Sequence, residues 1–88
     1  MAVVSPQLTL NIREIISSAT GLTVDEVDPT KALTKDLGID SLSMVDIAVR
    51  CEDAFGVRMD DGVMANLATA EDVAEFIASH ATRGLPEA

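Results

Sequence analysis

A serine does covalent chemistry only where its hydroxyl is presented, and the stretch Asp36-Leu37-Gly38-Ile39-Asp40-Ser41-Leu42-Ser43-Met44 presents one. A loop containing Gly38 runs there into a segment free of Gly and Pro up to Phe55, so Ser41 stands where loop becomes helix. At such a junction the free backbone N–H groups and the helix dipole favour an attached anion, by about 0.3 to 1 kcal/mol per charge. A phosphodiester on Ser41 suits that position. Gly38 can take a positive φ and leaves the approach to Ser41 uncluttered. Asp36 and Asp40 put carboxylates beside it, able to hold the metal and basic groups of a modifying enzyme. Taken alone, Asp40-Ser41-Leu42 also reads as an ordinary helix N-cap. Ser43 is a competing hydroxyl, but it lies inside the helix, where a surface polar residue needs no special explanation.

Other chemistries find less support. A hydrolase using Ser41 needs a base, and the only histidine, His80, lies near the opposite end of the chain and close to a helix C-terminus, which suits an imidazolium. No second metal ligand accompanies His80. Cys51 falls on an apolar stripe without an adjacent Lys or His to activate it, so it reads as a small core residue. A single cysteine allows no internal disulfide and no multi-cysteine zinc site, and points to the reducing cytoplasm. The acid clusters Asp25-Glu26-Val27-Asp28 and Asp60-Asp61 lack the alternating ligands, central glycine and final glutamate of an EF-hand. No catalytic residue and no metal site is therefore expected.

The elements that must position Ser41 follow from periodicity. Leu8, Ile12, Ile15 and Ile16 recur at helical spacing between Pro6 and Ser18, behind Ser5-Pro6 and ahead of Gly21. A long connection to Asp40 carries Val24, Val27, Leu33, Leu37 and Ile39 as candidate anchors onto a core. In the second long helix Ile47, Ala48, Cys51 and Phe55 form one stripe, which leaves Leu42, Val45, Asp46, Val49, Glu52 and Asp53 facing outward. Asp60-Asp61 ahead of Val63 and Met64 suits one short turn of helix. Thr69 with Asp72 three positions on resembles a capping box, and Val73, Phe76 and Ile77 mark the inner face of a last helix to about His80. The fold class is all-α: an antiparallel bundle of three main helices plus one short helix, with a long first loop. One domain fills residues 1–88, with a core over about 5–81 and a tail over 82–88, containing Gly84 and Pro86, that frays.

Composition narrows the partners. Fifteen acidic against six basic residues give a net charge of −9, which argues against nucleic acid and anionic membranes and for partners with basic patches. Residues 1–10 carry neither a basic segment nor a long apolar run, so neither a signal peptide nor a membrane helix is expected. A monomer is the expected state.

The stretch D-L-G-I-D-S-L, followed by an amphipathic helix with surface acids in an acidic chain of this length, resembles the phosphopantetheine attachment motif of acyl carrier proteins. The resemblance runs from about Leu8 to His80 and takes in the helix order, the long first loop and the closing E-D-V-A-E-F-I helix. It implies that Ser41, flanked by Asp40 and Leu42, carries 4'-phosphopantetheine donated from coenzyme A by a phosphopantetheinyl transferase. The arm's thiol would then hold acyl intermediates as thioesters, and the protein itself would catalyse nothing. It further implies that Asp36, Val45, Asp46, Val49, Glu52 and Asp53 meet basic patches on acyl-loading, ketosynthase or condensation enzymes of fatty acid, polyketide or lipopeptide biosynthesis. The rival from another class is an unmodified interaction module on the same fold. Two departures bear on partner choice. G-V-R-M-D-D after Phe55 lacks a proline common in the family, and Gly62, Val63, Ala65 and Asn66 stand where relatives often carry acids. Arg50 also interrupts the acidic face, and together with the altered third helix it tilts the expectation toward a specialised pathway such as a polyketide or lipopeptide starter over primary fatty acid synthesis. Peptidyl carriers usually place a glycine just ahead of the serine, so Ile39-Asp40 favours acyl over aminoacyl cargo.

Overall fold

The computed structural model describes residues 4–85. Four helices follow in order: α1 (Pro6–Thr20), α2 (Ser41–Phe55), α3 (Asp61–Ala65) and α4 (Ala70–His80). The described residues form no strand beyond a single antiparallel bridge between Ala32 and Thr69. The all-α expectation therefore holds.

Each long helix begins and ends for a local reason. Ser5 Oγ accepts from Leu8 N at 3.1 Å, Pro6 opens α1, and Gly21 closes it in the left-handed region. Thr69 and Asp72 form the expected capping box at the start of α4. The buried stripes are Leu8, Ile12 and Ile16 on α1, Ile47, Ala48, Cys51 and Phe55 on α2, and Ala70, Val73, Ala74 and Ile77 on α4. α1 packs against both α2 and α4. Burying each of the larger aliphatic side chains contributes about 1.5 to 3 kcal/mol. Phe76, expected on the inner face, is only half-buried and stacks on His80 at a centroid distance of 4.3 Å.

The connection 22–40 is tied down by more than its apolar anchors. Val27, Leu33 and Ile39 are buried as the sequence suggests. In addition, Arg13 of α1 donates through Nε to the Val27 carbonyl and through Nη2 to the Val24 carbonyl, both at 2.9 Å. Leu33 N donates to the Ala68 carbonyl at 2.8 Å, and Glu71 N to the Pro29 carbonyl at 3.0 Å. The loop that delivers the chain to Ser41 is thus stapled to α1 on one side and to the start of α4 on the other.

The tail differs from the expectation that it frays from Thr82. The amides of Thr82 and Arg83 both donate to the Phe55 carbonyl, at 2.9 and 3.2 Å. Thr82 Oγ1 donates to the Gly56 carbonyl at 3.0 Å, and Arg83 Nη2 to the Asp53 carbonyl at 2.8 Å. These carbonyls cluster at the negative end of α2, where N–H and guanidinium donors are most favoured. Gly84 lies against Ala54 with φ +76°, so close that a Cβ would sit 2.2 Å from the Ala54 carbonyl oxygen. The remainder of the expected tail, 86–88, lies outside the described residues.

Candidate functional site

Ser41 is the first residue of α2, with Asp40 as its N-cap. The cap role thus falls to the aspartate and leaves the serine hydroxyl free: among the described residues Ser41 Oγ takes part in no hydrogen bond, and the residue is exposed. Asp40 Oδ1 accepts from Ser43 N at 2.8 Å, and the first intrahelical bond runs from Met44 N to the Asp40 carbonyl at 3.0 Å. The amides of Ser41 and Leu42 precede that bond and point out of the helix end, where a phosphate oxygen can meet them. Gly38 has φ +68°, and nothing lies within 4 Å of the place a Cβ would take, so the space before Ser41 is open. Ser43, the competing hydroxyl, is half-buried with its amide already held by Asp40.

Asp40 is held ionised. The Ser43 amide, with the Ser43 hydroxyl as a lesser contributor, keeps its carboxyl below the usual value of 3.8. Asp36 is not a free neighbour of Ser41: its Oδ2 accepts from Ala32 N at 2.8 Å and closes a turn of the loop.

Beyond Ser41, Leu42, Val45 and Val49 form an exposed row at 81%, 51% and 54% exposure. Their spacing puts them on one face of α2. Asp53 is exposed next to the row, and Asp46 is half-exposed and paired with Arg50 at 2.9 Å. Arg50 also reaches Ser18 Oγ on α1 at 3.0 Å, so it neutralises part of the acidic face. Glu52 is half-buried, and its Oε2 accepts from Met59 N at 2.9 Å. Sequence reasoning placed Glu52 simply outward, because the partner that turns it lies beyond the end of its own helix.

A cleft of about 340 Å³ opens between α2 and α3 with Ser41 on its lining. Met44, Val45, Ala48, Val49, Met59, Met64 and Ala65 make most of its wall, and Thr34, Glu52 and Asp61 complete it. That volume stands at the lower end of small-ligand sites, which run from about 300 Å³ upward. α3 buries none of its residues; the Asp60 cap, bonded to Val63 N at 2.9 Å, holds it locally.

Cys51 is fully buried; burial, and then the neighbouring Glu52 charge, push its thiol up to about 12. His80 Nδ1 lies 2.9 Å from the Phe76 carbonyl, one turn back on α4. No group of three or more His, Cys, Asp or Glu suited to a metal ion occurs among the described residues.

An exposed, unpartnered serine at a helix start, on the lining of an apolar cleft and close to an acidic helix face, is the arrangement of a prosthetic-group carrier. The family model described as the phosphopantetheine attachment site matches residues 11–77. The chain belongs to the acyl carrier protein family. It is 46% identical over 77 residues to the meromycolate extension acyl carrier protein of Mycobacterium leprae, covering 88% of this chain and 67% of that one. It is 39% identical over 79 residues to the acyl carrier protein of Acidothermus cellulolyticus, covering 90% and 94%. Among solved structures it resembles the apo doublet acyl carrier protein from prodigiosin biosynthesis, with a TM-score of 0.76 at 24% identity. That likeness covers 93% of this chain and 42% of the doublet, and it speaks to the fold. Acyl carrier proteins are carriers rather than catalysts, and their cofactor is phosphopantetheine. They work with a phosphopantetheinyl transferase and with biosynthetic enzymes. No helix among the described residues is long and apolar enough to cross a membrane.

Proposed function

We propose that Ser41 is the hydroxyl that receives the phosphopantetheine arm, with Asp40 and Leu42 shaping its surroundings. The observation that carries this is the exposed, unbonded Ser41 Oγ beside free α2 amides on the lining of an apolar cleft. In the modification the Ser41 hydroxyl gives up its proton and Oγ bonds to the pantetheine-bearing phosphorus of coenzyme A, while the bond to adenosine bisphosphate breaks. The attached arm supplies a thiol that carries acyl groups as thioesters. Asp40, ionised by its Ser43 contacts, offers a carboxylate to the metal and basic groups of the transferase.

The residues beyond Ser41 do two further things. The row Leu42, Val45 and Val49 gives a partner enzyme an apolar contact. Asp36, Asp46, Glu52 and Asp53 surround it with negative charge, which steers basic patches toward Ser41. Behind the row, the cleft can bury an apolar acyl chain at a gain of about 0.8 kcal/mol per methylene, shielding its thioester from water. The likeness to meromycolate extension carriers supports a fatty-acyl elongation partner of ketosynthase type over polyketide or lipopeptide loading. The buried, unreactive Cys51 suits a reducing cytoplasm, and one carrier domain accounts for the core, which we extend from residue 81 to Gly84.

The test is intact mass after incubation with coenzyme A, magnesium and a broad-specificity phosphopantetheinyl transferase. Wild type should gain one phosphopantetheinyl increment and Ser41→Ala none. Folded wild type without an increment would leave the unmodified interaction module as the better reading.

A further inference from the structure

The cleft has a polar end. Its α2 wall runs from Ser41 through Met44, Val45, Ala48 and Val49, and every residue between the serine and Glu52 on that wall is apolar. Glu52 stands about three helical turns past Ser41, or about 16 Å at the α-helical rise. It is not a loose surface acid. Its Oε2 is held by Met59 N, so the carboxylate bridges α2 to the chain that leads into α3, and both Glu52 and Met59 line the cleft.

That position is itself fixed from behind. Gly56, between Glu52 and Met59, has its carbonyl held by Thr82 Oγ1, and the Phe55 carbonyl receives two amides of the tail. The segment that carries Met59 therefore leaves α2 from an anchored point, and Val57 and Met59 are themselves buried. An acyl chain that the arm brings into the cleft starts at the arm's thioester and gains from burial at each methylene it lays on the apolar wall, until its far end reaches the carboxylate. Going further means stripping water from an ion that the chain cannot hydrogen-bond, which is strongly unfavourable.

Resting on the reading of Ser41 as the attachment site, we infer that Glu52 sets the length of acyl chain the cleft accepts. Chains that stop short of Glu52 are sheltered. Longer ones leave their far end outside or must break the Glu52–Met59 bond.

The test loads wild type, Glu52→Gln and Glu52→Leu with straight-chain acyl groups from butyryl to palmitoyl and follows cleavage of the thioester by hydroxylamine. In wild type the rate should fall about fourfold per added methylene, the factor that corresponds to burying one such group, and then level off. In Glu52→Leu the levelling should come several methylenes later. Glu52→Gln keeps an acceptor for Met59 N but loses the charge, and should shift the break in the same direction by less; it decides the matter should the leucine variant not fold. The Met59 amide resonance should move only with chains at or beyond the wild-type break. A break at the same length in all three proteins, or no fall in rate with length, would overturn the inference. Failure of Ser41 to take up the arm is read separately, by mass, and would overturn the attachment reading instead.

Discussion

Two side chains, one inside α2 and one capping it, allow sharp expectations. Cys51 is buried on the inner stripe with its thiol pushed up to about 12, so it should be silent toward thiol reagents in the folded protein. An Ellman assay on the native apo form should read no reactive thiol. The same assay in urea should read one, and the folded holo form should also read one, from the arm. Asp40 makes the complementary case in charge. Its carboxyl lies below the ordinary value because the folded chain donates to it, so its contribution to stability is complete above about pH 4 and fades as pH falls through its folded value. Asn caps helices about as well as Asp. Wild type should therefore be more stable than Asp40→Asn at neutral pH, and the gap should close in acid, as thermal melts across that range can check. Asp28 and Glu26, lowered by donors on Thr30 and Thr23, add to the same acid sensitivity.

At the scale of elements, what the sequence announces is what is local. The Thr69-Asp72 box, the Ser5-Pro6 start, Gly21 and the three stripes depend on neighbours within a turn, and all are legible from spacing. Arg13 was not legible. It sits among polar residues of α1 like any solvated side chain, yet its guanidinium fastens two carbonyls of the following loop. Charge-assisted bonds of this kind are worth about 1.5 to 3 kcal/mol. Arg13→Ala should lower stability by about 2 kcal/mol in urea titrations, and Arg13→Lys should recover only part of it, since an ammonium cannot span both acceptors. Glu52 is like Arg13 in this, since its partner Met59 lies beyond the end of its own helix, whereas Phe76 packs half-buried against the core as its place on the stripe suggests, with its ring stacked on His80. For the proposed site, the motif pointed to Ser41, Asp40 and Gly38, but the cleft behind them required α3 to be placed.

Across the whole molecule, functional features gather along the Ser41 side of α2 while the tail closes its other end. Gly84 records how tightly. It meets Ala54 backbone and has positive φ, whereas Gly38 has positive φ in open space. Gly84→Ala should therefore cost about 2 to 3 kcal/mol, from strain plus displacement of the tail, and Gly38→Ala about 1 kcal/mol from strain alone. Equilibrium unfolding of the two variants checks the ordering; equal losses would mean that the tail contributes nothing to the fold.

The closed end also gives the molecule a direction. Because Thr82, Arg83 and Gly84 lie against the C-terminus of α2, any polypeptide, bead or sensor surface joined past Leu85 is joined at the pole opposite Ser41. The two points are separated by the length of α2, about 22 Å at the helical rise. A copy immobilised that way would hold its serine up into solution with the helix as a rigid post, leaving it open to an arriving enzyme.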